Sequence, residues 1–199
     1  MKQLFLLLIT LLSFSSANAQ LAPAANKVCP LLIGAEIPAI TLNDIKGNAV
    51  NIQELVKEQP AILVFYRGGW CPYCNRHLSA LGELEEEILA TGYRIIAISP
   101  DTHEELNKTA DKNELKYTLL SDGDGSLTKA MGIAFQASER QLERLATYSD
   151  GKNKGYLPVP SIFITDREGK ISFEYINPDY KKRLSGALLL SVLQSLNKE

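Results

Sequence analysis

Two cysteines three residues apart, Cys71 and Cys74, lie in the run Phe65-Tyr66-Arg67-Gly68-Gly69-Trp70-Cys71-Pro72-Tyr73-Cys74. An apolar stretch, Ala61 to Tyr66, precedes them and a helix-spaced pattern follows. The pair therefore falls where a strand hands over to a helix. Free N–H groups and the positive dipole end of a helix favour a thiolate over a thiol. The thiolate is the nucleophile in thiol–disulfide exchange and in attack on peroxides. Cys74 sits one turn on from Cys71 and can close a disulfide with it. Pro72 suits the first helical turn, where its missing N–H costs nothing.

Neighbouring residues could tune this pair. Arg67 lowers a thiol pKa if it folds over the site, or it is simply solvated; the sequence leaves both open. His77, one turn beyond Cys74, is expected to be an exposed helix histidine rather than a partner of the thiol. Cys71, Cys74, His77 and Cys29 have the ligand types for zinc, but no second paired motif completes a site, and no metal is expected. Cys29 is a free thiol, an additional resolving cysteine or a crosslink to another chain. Its place on an Ala/Pro-rich lead suggests that turnover does not need it.

The elements that position these residues follow from periodicity. Leu21 to Lys27 reads as a loose arm. Ile37 to Leu42 is extended, a turn covers Asp44 to Asn48, and Val50 to Leu55 leads to the strand Ala61–Tyr66. The unbroken apolarity of that strand marks it as central and buried. After the cysteines, Leu78, Leu81, Leu84, Ile88 and Leu89 give one helix that ends near Thr91-Gly92. Tyr93 to Ser99 is a second buried strand, and Thr102-x-x-Glu105 caps a helix from His103 to about Asn113. A short strand covers Tyr117 to Leu120. Asp122 to Ser126 resembles the start of a calcium loop, but Leu127 and Ile133 stand where Gly and Glu are required. It reads instead as a turn capping a helix over Leu127 to Met131. Gln136 to Gly155 is a polar insertion of helix plus loop. Ile162–Thr165 and Ile171–Ile176 form a hairpin around Asp166 to Gly169. A last helix carries Leu184, Leu188, Val192 and Leu196 on one face. The order describes an α/β plan with one central sheet flanked by helices.

Composition narrows the setting. Residues 1–19 combine an early lysine, an apolar stretch from Leu4 to Leu12 and an Ala17-Asn18-Ala19 end, the layout of a cleaved secretory signal. The apolar stretch is about half the ~20 residues that span a bilayer, so no stable membrane insertion is expected after cleavage. The protein is expected to be exported, to the periplasm or beyond. Residues 20–199 suit a single domain. The formal net charge of −2 gives no reason to expect nucleic acid as a partner. Three cysteines are too few for a disulfide-stapled scaffold of this length, so they read as chemical.

Strand, Trp70-Cys71-x-x-Cys74, helix and a later Val159-Pro160 before a strand resemble the thioredoxin fold. That resemblance implies a cis Pro160 lying against the cysteines, with Trp70, Val159, Pro160 and Arg67 contributing to the substrate site. Leu31 to Leu42, Asp44 to Leu55, Leu120 to Ser126 and Phe163 to Lys170 are similar to the peroxiredoxin-like alkyl hydroperoxide reductase/thiol-specific antioxidant family, across nearly all of residues 20–199. By that resemblance Cys74 falls on the peroxidatic position, Cys71 on the family's Thr/Ser and Arg67 on its Pro. The family's later arginine, which helps polarise peroxide, aligns with Pro160.

The sequence therefore implies a thioredoxin-like α/β domain that cycles between dithiol and disulfide at Cys71 and Cys74. The resemblance implies a thiol-dependent peroxidase, re-reduced by a thioredoxin-like donor, with no cofactor. Two alternatives stand beside it: a dithiol–disulfide reductase acting on exported proteins, and a non-enzymatic redox-sensing or metal-binding module. Cys71 is the expected attacker on a disulfide and Cys74 on a peroxide.

Overall fold

The computed structural model describes residues 21–198; the expected leader at residues 1–19 lies outside them. A hairpin of β1 (Thr41–Asp44) and β2 (Ala49–Asn51) opens the fold. It leads into α1 (Ile52–Glu58), where Asn51 caps the helix by accepting from the N–H groups of Gln53 and Glu54. Next come β3 (Ala61–Phe65), α2 (Pro72–Gly82), α3 (Glu85–Ala90), β4 (Arg94–Ser99), α4 (His103–Asn113), β5 (Thr118–Ser121) and α5 (Ser126–Ala130). A polar excursion holds β6 (Ala134–Gln136), α6 (Glu139–Tyr148) and β7 (Tyr156–Pro158). The chain then returns through β8 (Ser161–Thr165), β9 (Ile171–Ile176) and α7 (Gly186–Leu196).

Seven strands form one mixed sheet in the order β2-β1-β5-β4-β3-β8-β9. The parallel trio β3, β4 and β5 sits inside it, and β1 and β8 pair antiparallel to its two outer members. Every residue of β3 is buried, as its continuous apolar run requires. Alternation splits the core in two. Ile62, Val64 and Tyr66 join Leu78, Leu106 and Leu189 on the face covered by α2, α4 and α7. Leu63, Phe65, Ile96 and Ile98 join Ile52, Val56 and Leu127 under α1 and α5. The cysteines lie in the first of these layers.

Four expectations change. The single helix after the cysteines is two, broken at Glu83-Leu84. There the Leu84 N–H turns to Leu81 O at 3.1 Å, an i→i−3 bond. The break follows Gly82, a poor helix residue, and sets Leu84 over the start of α7, where a Cβ on Gly186 would meet its Cδ1 at 2.2 Å.

The arm is pinned rather than loose. Ala22 exchanges backbone bonds with Ala134 and Gln136, and the N–H groups of Cys29 and Leu31 reach Gly132 and Met131.

The polar insertion contains the expected helix, but β6 and β7 pair into a second, two-stranded sheet at its ends. Three residues each are too few to show a period-2 pattern.

The last helix buries Leu189 and Leu193, while Leu188 is 52% exposed. A strict i, i+4 spacing drifts about 40° per step around a helix, so 184-188-192-196 is not one stripe. Leu184 is buried, but in the segment before the helix.

The Asp122 turn is held as a cap. Its carboxylate accepts from the N–H groups of Leu127 and Thr128 and from the hydroxyls of Ser126 and Thr128.

Candidate active site

The loop between β3 and α2 is clamped before it reaches the cysteines. Gly68 takes φ +136, and a Cβ there would lie 2.3 Å from Trp70 Nε1 and 2.7 Å from Asp101 Oδ1. At Gly69 a Cβ would fall 2.0 Å from Thr109 Oγ1. The Gly69 N–H donates to Asp101 Oδ2 at 2.7 Å, and Gly69 O accepts from Asn75 Nδ2 at 2.8 Å. The glycine pair thus lets the loop press against the end of β4 and against α4. Asp101 is buried without a positive partner, and burial pushes its carboxyl up to about 7.

Cys71 is the N-cap residue of α2, and its carbonyl accepts from the N–H groups of Cys74 and Asn75 at 3.0 Å each. Pro72 occupies the first turn, as its lack of an N–H allows. Both cysteines are free thiols, with Cys71 1% and Cys74 0% exposed. The Cys74 thiol donates to the Cys71 sulfur. That bond, the Cys74 N–H and the nearby Arg67 and Arg183 cations outweigh burial and bring the Cys71 thiol down to about 6. Burial and the hydrogen bond given to Cys71 push Cys74 upward. The Arg67 N–H and the Arg183 charge act in the opposite direction.

Arg67 is 7% exposed and does fold over the site. Its guanidinium carbon lies 4.9 Å from the Trp70 ring centroid and 4.2 Å from that of Tyr180. Tyr180 meets Tyr73 edge-on at 5.6 Å. The Trp70 ring also takes Arg144 at 5.2 Å. Such cation–π contacts are worth roughly 0.5–2 kcal/mol each.

Val159 and Pro160 are buried at the entry to β8. Phe65 pairs with Ser161, so Pro160 lies at the same sheet end as Tyr66 and Arg67. The Val159–Pro160 peptide is trans, against the expectation. Trans is the favoured isomer of X–Pro by ~0.5–1 kcal/mol, and the extended run from β7 into β8 accommodates it.

His77 also departs from expectation. It is half-buried, and its Nε2 is sealed without a hydrogen-bond partner among the described residues. Burial, then the neighbouring Arg183 charge, hold it down at about 4, so it is neutral at physiological pH. Cys29 is exposed on the pinned arm. Among the described residues no three His, Cys, Asp or Glu side chains gather as metal ligands.

Arg183, Tyr180 and Asp101 carry no signal of a site role in the sequence. Arg183 and Tyr180 lie on the irregular strap between β9 and α7, more than a hundred residues from the cysteines, in a stretch whose only pattern is polarity. Arg183 Nη2 lies 3.6 Å from Cys74 Sγ. Asp101 follows a buried strand, and a carboxylate that never reaches solvent has no periodicity to betray it.

A thioredoxin-type mixed sheet with a dithiol at the N-terminus of the helix after its central strand defines a thiol-based redox protein. The family model of the AhpC/TSA family matches residues 33–174, and the chain belongs to that family. It is 26% identical over 190 residues to peroxiredoxin Q of Sedum lineare, covering 93% of this chain and 92% of that protein. To peroxiredoxin Bcp of Escherichia coli K12 it is 29% identical over 153 residues, 76% of this chain and 88% of that one. Reduced Prx3 of Vibrio vulnificus, solved with hydrogen peroxide, shares the fold with a TM-score of 0.72 at 19% identity, over 85% of this chain and 99% of that one. Xanthomonas campestris peroxiredoxin Q follows at 0.65, also at 19% identity, over 83% and 98%.

Proposed function

We infer that the protein is a thiol-dependent peroxidase that cycles Cys71 and Cys74 between dithiol and disulfide. The observation that carries this reading is the dithiol itself: two buried sulfurs at the start of α2, joined by a hydrogen bond and flanked by two guanidinium groups, in an AhpC/TSA frame.

The Cys74 thiolate attacks one peroxide oxygen. An S–O bond forms, the O–O bond breaks, and the departing oxygen takes a proton from solvent and leaves as water or an alcohol. The Cys71 thiolate then attacks the Cys74 sulfenic acid, a disulfide closes, and hydroxide leaves as water after protonation. A thioredoxin-type dithiol supplies the two electrons that restore the pair by exchange. Relatives named peroxiredoxin support the peroxide substrate and the thiol reductant.

Rapid mixing of the reduced protein with hydrogen peroxide, followed by Trp70 fluorescence, tests the reading. Trp70 is the only tryptophan and adjoins Cys71. Oxidation far faster than that of a free thiol, and abolished in Cys74→Ser, is expected. A rate no better than a free thiol's overturns it.

One observation favours a second activity. Cys71 is the thiol brought down to about 6, as a disulfide reductase needs at its attacking position. Fast exchange with a small disulfide, lost in Cys71→Ser, alongside sluggish peroxide oxidation would assign that role instead. The leader-like pattern of residues 1–19 supports export to the periplasm or beyond. N-terminal sequencing of protein from an exported fraction should begin at Gln20; an intact Met1 on cell-retained protein contradicts export.

A further inference from the structure

Besides Arg67, a second guanidinium reaches the dithiol. Arg183 sits on the strap between β9 and α7, beyond the segment that matches the family model. Its Nη1 is braced by the carbonyls of Tyr180 and Lys182, the latter at 2.8 Å. Its Nη2 is left to face Cys74 Sγ at 3.6 Å. Among the described residues no carboxylate pairs with it. A half-buried cation without an acid partner, fixed by its own strap and aimed at a sulfur, is placed to stabilise negative charge there.

Its other surroundings fit. Arg183 lines a cavity of about 400 Å³ between α2 and the strap, walled by Leu81, Leu84 and Leu184. The guanidinium therefore stands between that space and the sealed Cys74 sulfur. The titratable and charged groups facing Cys74 are Cys71 from its own helix, Tyr66 and Arg67 from the end of β3, and Arg183 from the strap. His77, one turn along, faces Arg183. It is neutral at physiological pH and cannot replace the guanidinium's charge.

We propose that Arg183 is a catalytic residue of the peroxide reaction, its guanidinium stabilising the Cys74 sulfur once its proton has left and donating to the peroxide oxygen that departs. The proposal rests on the peroxidase reading and supplies what that reading lacks. At rest the Cys74 proton is shared toward Cys71, and attack by Cys74 requires the charge to move to Cys74. As Cys74 attacks, two electrons pass from sulfur into the breaking O–O bond. The departing oxygen gains negative charge, is met by the Arg183 N–H groups and then takes a proton from solvent.

The test separates Arg183 from turnover. In a Cys29→Ser/Cys71→Ser background Cys74 is the only thiol, and its thiolate absorbance is titrated with Arg183 intact, with Arg183→Gln and with Arg183→Lys. Loss of the charge is expected to raise the Cys74 titration by roughly one to three pH units. Oxidation by hydrogen peroxide at neutral pH is expected to slow roughly tenfold per unit. Arg183→Lys should recover part of both, and Lys182→Gln, which removes only an exposed neighbouring charge, should change neither. An unmoved Cys74 titration and an unchanged peroxide rate in Arg183→Gln overturn the role of Arg183 while leaving a fast wild-type peroxidase standing. A slow wild type overturns the peroxidase reading instead, and the titration still decides whether Arg183 governs the sulfur.

Discussion

Asp101 shows how a single residue holds the site without taking part in the chemistry. Its Oδ2 accepts the Gly69 N–H, while its Oδ1 has no partner among the described residues. Its carboxyl is raised to about 7 by burial, so the folded state favours the neutral acid. The stability that comes from this preference is full below the ordinary carboxylate range and is lost as pH rises through about 7. Asp101→Asn keeps an acceptor for Gly69 and cannot ionise. Its stability relative to wild type should therefore rise between about pH 4 and pH 7 and level off above. Urea unfolding across that range measures it, and a gap that does not change with pH contradicts the buried, uncompensated carboxylate. The two sulfurs and their neighbours in the chain are the legible part of the site. Cys71, Cys74, Trp70 and Arg67 lie within eight positions of one another, so local order alone placed them together. Asp101 and Arg183 reach the site only through the pairing of β3 with β4 and the return of the chain after β9, which no spacing in the sequence encodes.

At the scale of elements, the strands and helices with a long, clean period were readable. The hairpin strand Ile171–Ile176 and the helix His103–Asn113 have the expected bounds. Thr102 accepts the Glu105 N–H as the cap. The arm departs from expectation because a distant partner defines it. The arm from residue 21 to 31 has no apolar period, yet it is bonded to the α5–β6 junction. Gly132 makes that contact possible. It takes φ +70, and a Cβ there would lie 2.0 Å from the Cys29 carbonyl oxygen and 2.8 Å from its carbon, both backbone atoms. Gly132→Ala should cost about 1–3 kcal/mol from the left-handed backbone alone, with a further loss as the arm lifts. Denaturant unfolding measures the cost, and limited proteolysis should show new cleavage between residues 21 and 31. An alanine variant as stable and as protease-resistant as wild type would mean that the arm contributes nothing to the fold.

For the whole molecule, the mixed sheet determines where chemistry can occur. β3 and β4 run parallel and deliver Arg67 and Asp101 at their C-terminal ends, the usual place for a site in an α/β sheet. β8 runs antiparallel beside β3 and brings Pro160 to the same end. The strap from β9 to α7 then closes over the top, with Tyr180 on Arg67 and Arg183 on Cys74. The consequence is a dithiol with almost no surface, 1% and 0% exposed, in a protein that must pass electrons to a peroxide and receive them from another thiol. Hydrogen peroxide is small enough to enter by side-chain motion. A protein donor is not, and the prediction is that the strap opens to admit it, a local unfolding of the kind whose free energy lies below that of the whole fold. The three cysteines should therefore separate by rate when the reduced native protein meets a bulky maleimide. Exposed Cys29 should be labelled first, and Cys71 and Cys74 far more slowly, at a rate set by opening rather than by thiolate content. Tyr180→Ala removes the ring that lies on Arg67 and Tyr73, and should speed labelling of the buried pair while leaving Cys29 unchanged. Peptide-resolved mass spectrometry over time distinguishes the sites. Equal labelling of all three cysteines in the wild type would show that the strap does not bar access. A donor could then reach the disulfide without any opening of the fold.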